Sequence, residues 1–187
     1  MSVNFATRIA SEDILDVLPN FFFLEELSVD IESISSRELT SVLQGLPQIT
    51  TFQLRVCEFQ GTPQGRLKTI QLNLRKLTID ITRRSRATTL HNALANIVEH
   101  SPQLVCVSVA GTRARKQWTT KLGDRIKHLT LYIRGSLPPI SSRGLKYLVI
   151  EGSRDQSGEL LRILPAICPI SLILQFMASL PNNNCRS

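Results

Sequence analysis

Aromatic side chains are scarce in this chain: seven Phe, two Tyr and one Trp make up 5% of 187 residues. That excludes a core organised around rings, and the abundance of leucine and isoleucine suits many thin aliphatic layers instead. Cysteine is equally sparse. Cys57, Cys106, Cys168 and Cys185 lie far apart and form no CxxC pair, which argues against both a disulfide scaffold and a cysteine-rich zinc module. No Asn-x-Ser/Thr acceptor occurs, and Glu12, Asp13 and Asp16 stand where a secretion signal would need its apolar core. An intracellular protein, cytoplasmic or nuclear, is expected. A long uncharged run occurs at Ile163 to Pro181, 19 residues near the length of a membrane span. Pro165 and Pro169 break it and Asn182, Asn183 and Asn184 follow closely, so it reads as a last buried layer, with no membrane association expected.

The residue patterns of catalysis are missing as well. There is no G-x-S-x-G elbow, and His91, His100 and His128 stand alone with no cysteine beside them in sequence, so solvated histidines are expected rather than metal ligands. Gly61-Thr-Pro-Gln-Gly65-Arg66-Leu67-Lys68-Thr69 misses the spacing of a phosphate-binding loop, and Pro63 lacks one backbone donor. No catalytic, cofactor-binding or metal residue is assigned, no cofactor is expected, and the chain is read as a non-enzyme.

What is present is ordinary globular material. Apolar residues reach 42% and charged residues 20%, enough for one domain with a real core. The net charge of +7 hides a division. Residues 1–65 carry three bases and nine acids, whereas residues 66–187 carry 19 bases and six acids.

A repeat organises the chain. The pattern Φ-x-x-Φ-x-Φ, with Φ aliphatic or Phe, appears as Leu24-Leu27-Val29, Ile49-Phe52-Leu54, Leu74-Leu77-Ile79, Leu104-Val107-Val109, Ile126-Leu129-Leu131 and Leu145-Leu148-Ile150, with a degenerate seventh copy from Ile170. Successive first positions are 25, 25, 30, 22, 19 and 25 residues apart, a mean of about 24 that falls within the 20–29 range of leucine-rich repeats. Helix stripes precede two copies: Leu39-Val42-Leu43-Leu46 ending at Pro47, and Leu90-Ala93-Leu94-Ile97-Val98 ending at Pro102. Looser stripes occur at Ile14-Leu15-Leu18-Pro19 and Leu160-Leu161-Leu164-Pro165. The segments before Leu74, Ile126 and Leu145 have little room for a full helix.

One strand and one helix cannot bury their own apolar face, so stacking of neighbours is expected to make a continuous core. The predicted fold is α/β: a leucine-rich-repeat-like solenoid of about seven irregular units over residues 1–181, with a parallel sheet on the concave face and helices and irregular connectors on the convex face, followed by a disordered tail at 182–187. The competing fold is a doubly wound α/β domain, which calls for longer all-apolar strands and glycine-rich turns. The strands here read apolar-in, polar-out.

That register names an exposed sheet face, because alternate strand residues point to opposite sides. Its small central column reads Ser28, Gln53, Thr78, Ser108, Thr130, Val149. The predicted partner-binding residues on this face are Glu25, Glu26, Gln53, Arg55, Arg75, Lys76, Lys127, His128, Tyr132, Lys146 and Tyr147, the tyrosines as anchors. Two further basic clusters, Arg83-Arg84-Ser85-Arg86 and Arg113-Ala114-Arg115-Lys116, could meet phosphates or an acidic partner.

The helix-Pro-Φ-x-x-Φ-x-Φ units over residues 11–175 resemble the irregular leucine-rich repeats of F-box proteins. The resemblance implies substrate recruitment to a ubiquitin ligase, with the F-box itself absent because residues 1–23 read as the tail of a preceding repeat. Three functions follow: a non-catalytic protein-interaction scaffold, as a substrate-recognition region of a ubiquitin-ligase receptor or a fragment of one; a nucleic-acid-associated basic protein; and a small α/β enzyme. The first is expected, with a protein partner bearing an acidic patch, and with self-association through uncapped ends as a further expectation.

Overall fold

Every complete Φ-x-x-Φ-x-Φ copy from Leu24 to Ile150 opens a strand two residues after its first apolar position. The computed structural model describes residues 2–9, 21–60, 71–82, 87–112, 116–133, 138–140 and 143–152. The stripes at Ile14–Pro19 and Leu160–Pro165, the loop Gly61–Thr69, Arg83–Arg86, Arg113–Arg115, the copy from Ile170 and the tail lie outside the described residues.

The described elements are β1 (Ser2–Ile9), β2 (Glu26–Ser35), α1 (Ser36–Gly45), β3 (Thr51–Gln60), β4 (Lys76–Ile81), α2 (Ala87–Glu99), β5 (Cys106–Ala110), α3 (Lys116–Thr119), β6 (His128–Ile133) and β7 (Tyr147–Gly152). The strands form one seven-stranded sheet in the order β1-β2-β3-β4-β5-β6-β7. Every neighbouring pair is parallel. The protein is therefore an α/β protein with an all-parallel sheet. β1 is a strand that the six-residue pattern does not find; Val3, Asn4 and Phe5 continue the rows of Leu27, Ser28 and Val29.

The apolar positions of the pattern form aligned rows. Leu27, Phe52, Leu77, Val107, Leu129 and Leu148 are register partners, and all are at most 1% exposed. Val29, Leu54, Ile79, Val109, Leu131 and Ile150 form a second buried row. The first positions, from Leu24 to Leu145, add a third. Burying one such aliphatic chain stabilises the fold by about 1.5–3 kcal/mol, so the three rows are the principal source of cohesion.

The helices supply the other side of this core. Leu39, Val42 and Leu43 of α1 are buried, as are Leu90, Ala93, Leu94, Ile97 and Val98 of α2. α1 begins at a capping box: the Ser35 N–H donates to Glu38 Oε2 at 2.7 Å, and the Glu38 N–H donates to Ser35 Oγ at 3.2 Å. Among the described residues the connector before β6 carries the single turn α3, which seats the fully buried Trp118.

The expectation of a solvated histidine fails at one position. His91 is 1% exposed, not solvated. Thr89, Leu90, His91, Ala93, Leu94, Ala95, Ile97 and Val98 are all buried, so α2 is covered around much of its circumference. It packs against β3, α1 and α3, and a helix between a sheet and two other helices buries more than one stripe.

A recurring backbone device sets the register. The carbonyl of Glu25 accepts from the N–H groups of Thr50 and Thr51. The carbonyls of Thr50, Arg75, Val105 and Lys127 do the same for Arg75–Lys76, Val105–Cys106, Lys127–His128 and Lys146–Tyr147. Tight turns deliver the chain to this point: Leu24, Ile49 and Leu104 donate to the carbonyls of Phe21, Leu46 and Ser101 at 3.0, 3.1 and 3.1 Å. In two of these turns the second residue is Pro47 or Pro102, whose fixed φ suits that position.

Candidate interaction face

The polar positions of each strand lie on the side opposite the buried rows. Glu25, Glu26, Arg55, Arg75, Lys76, His128, Lys146 and Tyr147 are exposed. Gln53, Lys127 and Tyr132 are half-buried. All the sequence-predicted face residues are thus on accessible positions, but they fall into separate groups.

The leading edge of the face is where the strands begin. Its outermost column runs Glu25, Thr50, Arg75, Val105, Lys127, Lys146, and the next runs Glu26, Thr51, Lys76, Cys106, His128, Tyr147. Charge changes sign along the face: acids at the β2 end of both columns, neutral threonines at β3, then the cations Arg75 and Lys76 at β4, with Lys127 and Lys146 continuing the outermost column at β6 and β7. At about 4.8 Å per strand, Glu26 and Tyr147 are five strands apart, so the acidic and basic ends are distinct zones.

Arg55 and Tyr132 belong to a different column, nearer the strand ends. Arg55 Nε donates to Asp80 Oδ2 at 3.2 Å. Asp80 is its register partner on β4, and Asp30 is its partner on β2. The Asp80 carboxylate partly offsets the charge of this arginine, whereas Arg75, Lys76 and Lys146 face no carboxylate in their columns on β4–β7.

Several contacts shape the basic zone. The rings of His128 and Tyr147 stack with centroids 4.6 Å apart and planes inclined by 15°. Their positions, 19 residues apart, meet only because that interval is one repeat step; the pairing is invisible until the register is known. Lys127 Nζ donates to the Asp124 carbonyl at 3.0 Å, which holds its ammonium near the turn before β6. Asp124 Oδ1 in turn accepts from the Arg143 N–H at 2.6 Å. This places the turns that begin β6 and β7 against each other, and a Cβ at Gly144 would approach the Asp124 main-chain carbonyl oxygen to 1.9 Å.

Between the cations of β4 and β6, strand β5 presents Val105, Cys106, Ser108 and Ala110, none of them charged. Cys106 is half-buried. Burial pushes its thiol up from the ordinary range, and the nearby Lys76 ammonium partly opposes that shift. Cys57, on β3, is buried; both thiols are free.

Among the described residues no three His, Cys, Asp or Glu side chains gather closely enough to hold a metal ion, and no helix among them is long and apolar enough to cross a membrane. The fold and the face define an α/β protein with an all-parallel, sequentially ordered sheet, one face packed under helices and the other accessible. Comparison with protein-family models, curated proteins and solved structures finds no match.

Proposed function

We propose that this chain is a non-catalytic protein-interaction scaffold, built as a leucine-rich-repeat-like solenoid, whose accessible sheet face binds a partner protein with an acidic surface. The observation that carries this reading is the face itself: uninterrupted register from β2 to β7, with unopposed cations at the leading edge of β4, β6 and β7. Strand order supports the solenoid. A doubly wound α/β domain reverses its strand order at a switch point and binds ligands there, whereas this sheet runs β1 to β7 with no reversal. The resemblance to F-box repeat regions extends the proposal to substrate recognition for a ubiquitin ligase. The free thiols Cys57 and Cys106 suit a reducing, intracellular setting.

The test is affinity capture with the intact chain in parallel with a variant carrying Arg75→Glu, Lys127→Glu and Lys146→Glu. Proteins captured by the native face are expected to be lost from the variant. An unchanged set of captured proteins sinks the reading, and selective retention on DNA or RNA that weakens steeply with salt assigns the face to nucleic acid instead.

A further inference from the structure

We infer that β5 forms a slot on the accessible face for an aromatic side chain carried by an acidic segment of the partner. The inference rests on the reading of this face as the binding surface and specifies what fits it.

The slot is a gap in the second leading-edge column. Lys76, Cys106 and His128 are consecutive register partners on β4, β5 and β6. With strands about 4.8 Å apart, the backbones bearing Lys76 and His128 are about 10 Å apart. Between them stands only the short, half-buried Cys106. Val105 beside it is 37% exposed, and Ser108 and Ala110 keep the remainder of β5 low. A long cation therefore stands on one side of the gap and an imidazole ring on the other.

The stacking on β6 and β7 sets what the gap prefers. Tyr147 covers one face of the His128 ring. Because β6 lies between β5 and β7, the ring face turned away from Tyr147 is the one toward β5. A planar side chain entering above Cys106 extends the stack to three rings at the usual aromatic separation. It also brings its opposite face to Lys76, the geometry of a cation–π contact.

Charge decides what flanks that ring. Arg75, Lys127 and Lys146 border the gap and the stack in the outermost column. The nearby carboxylates are otherwise engaged: Asp80 bonds Arg55, and Asp124 accepts from the Arg143 N–H. Carboxylates on either side of the incoming ring would meet these cations as charge-assisted contacts. Glu25 and Glu26 on β2 limit the footprint, because an acidic segment continuing past β3 meets like charge. A nucleic acid fits less well. Sheet platforms for bases carry several ring faces for successive bases, whereas the His128–Tyr147 stack leaves one ring face toward the gap.

The test measures binding of labelled peptides to the full chain. One peptide carries a single phenylalanine flanked by glutamates, and its counterpart has alanine at that position; a labelled oligothymidylate is the third probe. The phenylalanine peptide is expected to bind roughly three- to tenfold more tightly than the alanine peptide, the range one aromatic stack supplies. Cys106→Phe, which fills the gap, and His128→Ala, which removes the stacking surface, are each expected to abolish that preference. Cys106→Ala keeps it. His128 is exposed, so its variant tests the slot even where Cys106→Phe does not fold. Equal binding of the two peptides, or a preference that survives both substitutions, overturns the slot. Slot failure with glutamate peptides still bound, and released by Arg75→Glu with Lys127→Glu and Lys146→Glu, leaves the broader reading of the face standing. Failure to bind either peptide, or tighter binding of the oligothymidylate, overturns both.

Discussion

A Cβ on Gly111 would lie 1.7 Å from the carbonyl oxygen of Ile81. Gly111 follows directly on β5 and holds φ at +74°, so the chain leaves this strand over the end of β4 through a space that only a glycine backbone fits.

Gly111→Ala is accordingly expected to destabilise the protein by at least roughly 2 kcal/mol, from the left-handed backbone and the steric overlap together. Gly45, at the end of α1, has nothing within 4 Å of a built Cβ. Gly45→Ala is expected to be neutral or stabilising by up to about 1 kcal/mol. Urea unfolding of the two variants beside the native chain checks the contrast.

The in-and-out alternation of β4 makes a sharper comparison. Leu77 is fully buried and its neighbour Thr78 lies on the accessible face. Leu77→Ala is expected to cost about 2–5 kcal/mol, and Thr78→Ala to stay within about 0.5 kcal/mol. Similar losses at both positions in a denaturant titration would contradict the register.

Ser35 and Glu38 satisfy each other's backbone donors at the start of α1. Ser35→Ala is expected to cost about 1 kcal/mol, read as a lower urea midpoint with an unchanged slope.

The Arg55–Asp80 pair is exposed, with side-chain accessibilities of 60% and 35%. A double-mutant cycle through Arg55→Met and Asp80→Asn is expected to yield a coupling below about 1 kcal/mol that shrinks with added salt. A large, salt-independent coupling would show a role beyond surface neutralisation.

Cys106 carries the pH prediction. Burial raises its thiol pKa and Lys76 opposes that rise, so alkylation at mildly alkaline pH is expected to be slower than for a cysteine in an unstructured peptide. Lys76→Met slows it further. The folded chain holds this proton more tightly than the unfolded chain. Its contribution to stability is therefore complete below the unfolded thiol pKa and is lost as pH rises through the folded value. Peptide-resolved mass spectrometry after iodoacetamide pulses follows the reaction at this site.

The rows from β2 to β7 were legible because each copy carries the same three apolar positions at the same internal spacing, although the steps between copies range from 19 to 30 residues. The second and third apolar positions of the copies are rows of register partners in the sheet, and the first positions lie buried just before the strands. β1 escaped for a plain reason. Val3-Asn4-Phe5 matches only the Φ-x-Φ half of the pattern, and two alternating apolar residues alone are too short a signal to mark a strand. The capping box was readable as Ser35-Ser36-Arg37-Glu38, a Ser-x-x-Glu before an apolar stripe. His91 misled because one stripe accounts for a helix lying on a sheet, and α2 is also covered from its sides. The His128–Tyr147 stack belongs to no local pattern; it depends on the 19-residue step between two strands.

The clamps at Glu25, Thr50, Arg75, Val105 and Lys127 are built from main-chain N–H groups and carbonyls, the Thr50 hydroxyl adding one further bond to the Glu25 carbonyl at 3.2 Å. Acidic, hydroxyl, basic and aliphatic residues all occupy the same clamp position, so alignment of one strand on the next does not depend on what the side chain is. Scaffold and surface can consequently be altered independently. The outermost column can be recoded from glutamate to lysine, strand by strand, while the sheet beneath keeps its alignment. Recognition by this protein is therefore open to redesign at single positions, with little penalty to the fold.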